Sequence, residues 1–358
     1  MPVELAYGFV DLESVLSQRI TEIGVERVTN AVTESVRVYQ EALNSIISSM
    51  VFRTTQFKEM YDRPAVGTLQ PLDEHGNPKP MDFTGSYEIG YPIQGGGTAW
   101  GGNRVTREMM TAAEANKFTL MVQQQDADWM RRHILAAFLN SASYVFRDKQ
   151  HGNITVYPLA NNDTVEFTRI GMTDPATDNH YLAQAAAISD GANPFATIRA
   201  ELVEHPGNGE TVVAFIPEGL KSAVTGLTEF VEVSDVDIVL GATSDTVSRR
   251  DELVAFGDEL LGKTKSGVWI VLWKSLPAGY IFAHCPDAGA FVAQREYPVT
   301  SLQGLFPEYF SEDGNHYVNR FIRYAGFGVQ NRTAAMVYYV GNASYVVPTA
   351  YEIVPLPI

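Results

Sequence analysis

The sequence predicts an α+β chain organised around one long helix, and three stretches carry that reading. Residues 107–149 contain neither glycine nor proline, so nothing interrupts a helical pattern there. Residues 51–104 are the opposite. They hold Pro64, Pro71, Pro78, Pro80 and Pro92, Gly67, Gly76, Gly85 and Gly90, and the clusters Gly95-Gly96-Gly97 and Gly101-Gly102. No helix survives that density of breakers. Beyond His151, short apolar runs alternate with short helical ones, which describes an α/β layer of mixed pairing.

Taken in order, the first 50 residues read as helix. Val32, Val36, Tyr39, Leu43, Ile46 and Met50 alternate spacings of four and three, a heptad seam on one face. Arg37 and Glu41 lie on the polar side, and Gly24 weakens the helix between an upstream segment, 11–23, and this one. In the breaker-rich stretch, Ser86-Tyr87-Glu88-Ile89 and Tyr91-Pro92-Ile93 suit a two-stranded hairpin. A loop of about 50 residues far exceeds the ordinary connection, so it is expected to be functional or bound to something. The long helix, at about 1.5 Å per residue, would run roughly 60 Å, with a kink expected at Gln123-Gln124-Gln125-Asp126.

Further on, Ile154-Thr155-Val156-Tyr157 and Val165-Glu166-Phe167-Thr168 read as paired strands. A helix is predicted from Pro194, as its first residue, to about Glu204, where Pro206-Gly207 stops it. Thr211 to Ile216 is a buried strand, and Pro217-Glu218-Gly219-Leu220 opens a helix to about Leu227. Strands are expected at 229–240, 268–274 and 279–283. Arg320 to Gly341, RFIRYAGFGVQNRTAAMVYYVG, reads as two buried strands joined by a short glycine-containing bend.

Composition narrows the function classes. The 358 residues are 45% apolar and 19% charged, as in a folded chain of one large or two ordinary domains. The net charge of −16 argues against nucleic-acid recognition, because such a chain repels phosphate in bulk. Residues 1–10, MPVELAYGFV, have no basic start and no long apolar run, so no signal peptide is expected. No stretch reaches the roughly 20 apolar residues of a membrane span. The single cysteine, Cys285, forms no intrachain disulfide and fits a reducing compartment.

The search for chemistry returns little. No HExxH, GxSxG or CxxC pattern is present, and the glycine cluster at 95–97 lacks the following Gly-Lys-Ser/Thr of a phosphate cradle. His75, His133, His151, His180, His205, His284 and His316 are scattered, without an i, i+4 pair. His133 reads as packed or solvated, and Cys285 as a buried structural thiol with His284 on the opposite face of a strand. Asp235/Asp237, Glu252, Asp258/Glu259 and Glu312/Asp313 read as solvated surface. No catalytic, cofactor-binding or metal-ligating residue is assigned, and no enzyme activity is expected.

In element order the chain resembles the major capsid proteins of tailed bacteriophages, of the Hong Kong 97 type. The residues that carry the likeness are the spine-like helix 106–149, TVVAFIPEGL at 211–220, LPAGYIFAHCPDAGAFVAQREYPV at 276–299 and RYAGFGVQNRTAAMVYYVG at 323–341. The resemblance implies an N-terminal arm at 1–50 and an E-loop at 51–105. A peripheral domain with the spine helix follows at 106–208, an axial domain at 209–325, and return strands of the peripheral domain at 326–358. It implies pentamers and hexamers that close into an icosahedral virion shell around double-stranded DNA, held without sequence-specific contacts and assembled in the host bacterial cytoplasm. A portal, a separate scaffolding protein and a decoration protein are the implied partners; no membrane or cofactor is. The scaffolding is expected as a separate protein because only about 50 residues precede the loop, too few for the type member's cleaved scaffolding region. The type member also joins Lys and Asn side chains between subunits. Lys58, Lys79, Asn331 and Asn342 show no alignment with that chemistry, and no crosslink is assigned to them. An encapsulin-type nanocompartment shell shares the fold, and a soluble enzyme with a lid at 51–104 is the alternative of a different class.

Overall fold

A computed structural model describes residues 16–61, 71–78, 87–172, 175–233, 257–312 and 316–352. The helical start is broken where the sequence has Gly24: helix α1 (Ile20–Ile23) ends and α2 (Val25–Ile47) begins on either side of it. The apolar seam of α2 runs along Val36, Leu43 and Ile47. Val36 and Ile47 are buried, Leu43 packs against the core, and Ile46 points to solvent. The expectation of Ile46 in the seam is thus corrected. At about 100° per residue, Ile47 returns to within about 20° of Val36, while Ile46 falls about 80° away.

The breaker-rich stretch is mostly extended. It contributes β1 (Val51–Thr54), β2 (Lys58–Tyr61), β3 (Tyr87–Gly90) and β4 (Gln94–Asn103), then a short α3 (Arg104–Met109). β3 pairs with β2 rather than with Tyr91–Ile93, so the expected local hairpin is replaced by a longer-range one. The long helix, α4 (Ala112–Leu139), is shorter than expected at both ends. Thr111 caps its start, accepting from the Glu114 amide while Glu114 reaches back to the Thr111 amide, a reciprocal capping box. At its end Asn140 leaves the helical conformation, its amide donating to the Tyr351 carbonyl and its side-chain oxygen accepting from Ala142. Residues expected as the last helical turns instead form β5 (Tyr144–Asp148), hairpinned to β6 (Gly152–Val156). Gln123 to Asp126 continue the helix as one element.

The remaining elements are β7 (Glu166–Phe167), β8 (Ala176–Thr177), β9 (Tyr181–Gln184), α5 (Phe195–Val203), β10 (Val212–Ile216), α6 (Glu218–Thr225) and β11 (Phe230–Glu232). After them come β12 (Glu259–Thr264), β13 (Val268–Leu272), β14 (Tyr280–His284), β15 (Val292–Arg295), β16 (Leu305–Glu312), β17 (His316–Val329) and β18 (Ala335–Val340). β6 pairs with β5 and β7 with β8, so the two strands expected to pair with each other do not. Pro194 is the N-cap of α5 rather than its first residue. Residues 234–240 of the strand expected at 229–240 lie outside the described residues.

Two sheets organise the molecule. One holds β1, β15, β17, β16 and β4; its β17 pairs with β4 over ten residues and with β16 over eight. The other runs β11-β12-β13-β10-β14-β18-β9. The two strands of the Arg320–Gly341 segment therefore belong to different sheets, and the bend between them carries the chain across. The 276–299 stretch divides the same way, its β14 going to one sheet and its β15 to the other. β10 is buried throughout, which explains its uninterrupted apolar run. Val213 and Phe215 face α4, whose Phe138 lies flat on Phe282 with ring centroids 4.3 Å apart. Val212, Ala214 and Ile216 face α5 and α6 on the other side.

Glycines permit close approach where the sheet meets its cover. A β-carbon on Gly326 of β17 would lie 1.3 Å from the Pro92 carbonyl oxygen, and one on Gly96 of β4 would lie 2.7 Å from Trp129 Nε1 on α4. The glycine cluster at 95–97 is thus a strand under a helix.

Candidate functional sites: buried ion pairs, a histidine cluster and an apolar groove

Among the described residues three arginines are buried, and each finds an aspartate far away in sequence. Arg323 of β17 donates Nε and a terminal N–H to Asp126 of α4, at 2.6 and 2.7 Å. Tyr39 of α2 donates its hydroxyl to the same carboxylate at 2.9 Å, so one aspartate ties two helices to the sheet. Arg295 of β15 donates to Asp148 at 2.7 Å and to the Tyr91 carbonyl at 2.8 Å. Burial opposes the Asp148 charge, but the Gln150 and His151 amides and the Arg295 guanidinium outweigh it and hold its pKa below the usual carboxylate range. Arg332, in the crossing between the two sheets, donates to Asp163 at 2.8 Å and lies against the rings of Tyr87, Tyr157 and Phe167. None of these pairs was legible in the sequence: the partners are 147 to 197 residues apart and share no spacing.

Cys285, His284, His133, Lys58 and Asn331 are each packed or paired within the fold. Cys285 is fully buried, and burial, with Asp287 nearby, pushes its thiol up to about 12, far from a reactive thiolate. His284 is on the opposite face as expected, parallel to the rings of Phe215 and Phe282, with burial holding it at about 3. Half-buried His133 packs at a tilt against Trp129, with centroids 4.0 Å apart. Lys58 pairs with Glu88 on the neighbouring strand. Asn331 caps the turn after β17, accepting from the Tyr61 hydroxyl and from Thr333. Lys79 lies outside the described residues.

Two histidines that looked scattered come together. His180, just before β9, and His205, just after α5, place their Nε2 atoms 3.4 Å apart. Asp178 Oδ2 lies 3.1 Å from His205 Nε2, and all three residues are buried. His205 Nδ1 is 2.9 Å from the Thr168 carbonyl oxygen. Arg169 reaches Asp178 at 3.3 Å and Glu204 at 3.1 Å. The elements that converge here are joined by long-range sheet pairing, so no sequence spacing announced the cluster.

The surface offers an apolar groove of about 130 Å³ where α1 and α2 cross the first sheet, lined by Ile20, Val25, Val28, Val32, Trp100 and Phe321. Val105, Met109, Leu120 and Met121 are exposed on α3 and α4. No helix among the described residues is long and apolar enough to cross a membrane.

The sequence matches no protein-family model and no curated protein. Among solved structures, a chain from Mycobacterium phage Patience is similar over 98% of this chain and 98% of its own, at 18% identity and a TM-score of 0.66. A chain from the asymmetric unit of the bacteriophage PhiM1 mature capsid is similar over 83% and 87%, at 11% identity and a TM-score of 0.51. The fold is the α+β Hong Kong 97-like capsid fold that the order of elements implied.

Proposed function

We propose that this chain is the major capsid protein of a tailed bacteriophage, a structural subunit that assembles as pentamers and hexamers into the icosahedral shell around a double-stranded DNA genome. One observation carries the reading. The likeness to the Patience chain runs over 98% of both chains, which supports a subunit of the same architecture throughout. The PhiM1 chain of the same fold is part of a mature capsid. The net charge of −16 is compatible with a wall that does not adhere to packaged DNA. The exposed side chains of α3 and α4, with the groove beneath α2, supply apolar surface for neighbours.

In this reading residues 1–50 are the arm, 51–105 the E-loop rooted by β1 and β4 in the first sheet, and α4 the spine helix. Sheet membership supports an axial unit drawn around β10 to β14, smaller than 209–325. β15 to β17 share a sheet with β1 and β4 and go with the peripheral domain. The subunit's work is packing, and no catalysis is assigned to it. A scaffolding protein, a portal and a decoration protein are its proposed partners, in assembly within the host cytoplasm.

Negative-stain microscopy and sedimentation of the purified full chain, alone and co-expressed with its phage's scaffolding protein, test the proposal. Closed particles of uniform diameter are expected in at least one of the two. A compact monomer in both, at every concentration, overturns it.

A further inference from the structure

We propose that Asp178, His180 and His205 form a structural site for one divalent transition-metal ion, with zinc the ion its donor set suits best. The inference goes beyond the shell role and does not depend on it. His205 Nδ1 sits 2.9 Å from a carbonyl oxygen, that of Thr168. A carbonyl only accepts, so Nδ1 carries the proton and the neutral ring turns the lone pair of Nε2 toward Asp178 and His180. Asp178 Oδ2 at 3.1 Å brings a carboxylate lone pair to the same point, and His180 Nε2 at 3.4 Å brings another in its Nδ1–H tautomer. All three ligand atoms lie within 4.8 Å of one another. Asp178 Oδ2 is buried, and among the described residues it receives no aligned hydrogen bond. Converging lone pairs in a buried place repel unless something positive sits among them.

Geometry favours an ion over a second proton on His205. Zinc bonds of about 2.0–2.2 Å place neighbouring tetrahedral donors roughly 3.3–3.6 Å apart, close to the two separations seen. A proton on His205 Nε2 would serve Asp178 and His180 with a single N–H, whereas an ion bonds all three donors. The Thr168 carbonyl behind His205 is the outer support that fixes the tautomer of a metal-bound imidazole.

The surrounding charges are mixed. Arg169 faces Asp178, and Arg332 bears on His180; Glu204 and Glu201 oppose them, Glu204 already pairing with Arg169. The two guanidiniums disfavour any added charge that makes no bonds, whereas a metal makes three. Asp178, Glu201 and Glu204 also approach within 4.8 Å of one another, so a carboxylate or a water can complete the shell. Such an ion would fasten the β7–β8 hairpin and the start of β9 to the end of α5.

The test uses the full chain carrying no polyhistidine tag, stripped with chelator and dialysed against zinc, with metal measured by mass spectrometry. About one zinc per chain is expected, with a thermal unfolding midpoint that rises on zinc addition. Cobalt in place of zinc should give the intense visible absorption of a tetrahedral site. His180→Gln and His205→Gln should each abolish stoichiometric binding, and Asp178→Asn should weaken it at least about tenfold. Asp178→Asn keeps the side chain's shape and serves where a histidine variant does not fold. Wild-type chain that retains less than about 0.1 zinc after dialysis, or equal binding in wild type and Asp178→Asn, overturns the site.

Discussion

Removing the carboxylate of Asp126 should unfasten α2 and α4 from the first sheet at once. Asp126→Ala leaves Arg323, only 3% exposed, with two N–H groups that lose acceptors at 2.6 and 2.7 Å. Stranding one partner of a buried ion pair costs about 3–5 kcal/mol. The Tyr39 hydroxyl loses its 2.9 Å acceptor as well, adding about 1 kcal/mol. With a urea dependence near 3 kcal/mol per molar, the unfolding midpoint should fall by roughly 1.3–2 M. The assay is urea denaturation of dilute subunit, followed by tryptophan fluorescence, since Trp129 sits one turn from Asp126 on the same helix. An all-apolar replacement, Tyr39→Phe with Asp126→Leu and Arg323→Met, removes the desolvated charges together and should return to within about 1 kcal/mol of the parent or exceed it. If Asp126→Ala costs under about 1 kcal/mol, or if the triple variant is as unstable as the single one, the ion pair is not what holds these elements.

Other expectations use different readouts. Ile47→Ala should destabilise by about 2–5 kcal/mol and Ile46→Ala by less than about 0.5 in the same denaturation assay, and equal effects would place the α2 seam wrongly. Gly326→Ala should yield little soluble protein, because its β-carbon would meet the Pro92 carbonyl at 1.3 Å, whereas Gly191→Ala, with open space around it, should behave as wild type in a yield and melting comparison. His284 is held at about 3 by burial, so it binds a proton in the unfolded chain but not in the folded one between that value and about 6.5. Its contribution is complete above about pH 6.5 and is lost as pH falls toward 3, at up to about 1.4 kcal/mol per unit. His284→Leu should flatten the acid side of a midpoint-versus-pH curve by that slope, and an unchanged curve would count against a neutral buried imidazole.

The parts of the fold that could be read from sequence are those with a local cause. The buried strand at 212–216 announces itself by an unbroken apolar run, and Gly24 marks the break between α1 and α2. The capping box Thr111-Ala112-Ala113-Glu114 is also legible and sets the true start of α4, although helix-compatible residues precede it and mask the boundary. The far end of α4 had a weaker sign, the Asn140-Ser141-Ala142-Ser143 cluster ahead of aromatic and β-branched residues. There the absence of glycine and proline was the wrong criterion, since an asparagine whose side chain bonds Tyr351 and Ala142 ends a helix as firmly.

Sheet pairing is different in kind, and it decides both the crossing at Arg332 and the candidate sites. The segment 320–341 has the pattern of two adjacent strands, yet its halves serve separate sheets because β4 and β15 claim β17 while β14 and β9 claim β18. Nothing within those 22 residues encodes that choice. Only the competition among distant partners does, and the same competition seats Arg323 on Asp126 and Arg332 on Asp163. The histidine cluster follows from it too. His180 reaches His205 because β9 joins the edge of the second sheet beside β18, bringing the chain just ahead of it to the end of α5. A motif search looks for ligands at fixed intervals along one element. This cluster takes one from the turn after β8, one from the start of β9 and one from beyond α5, so its geometry exists only after the sheet has formed.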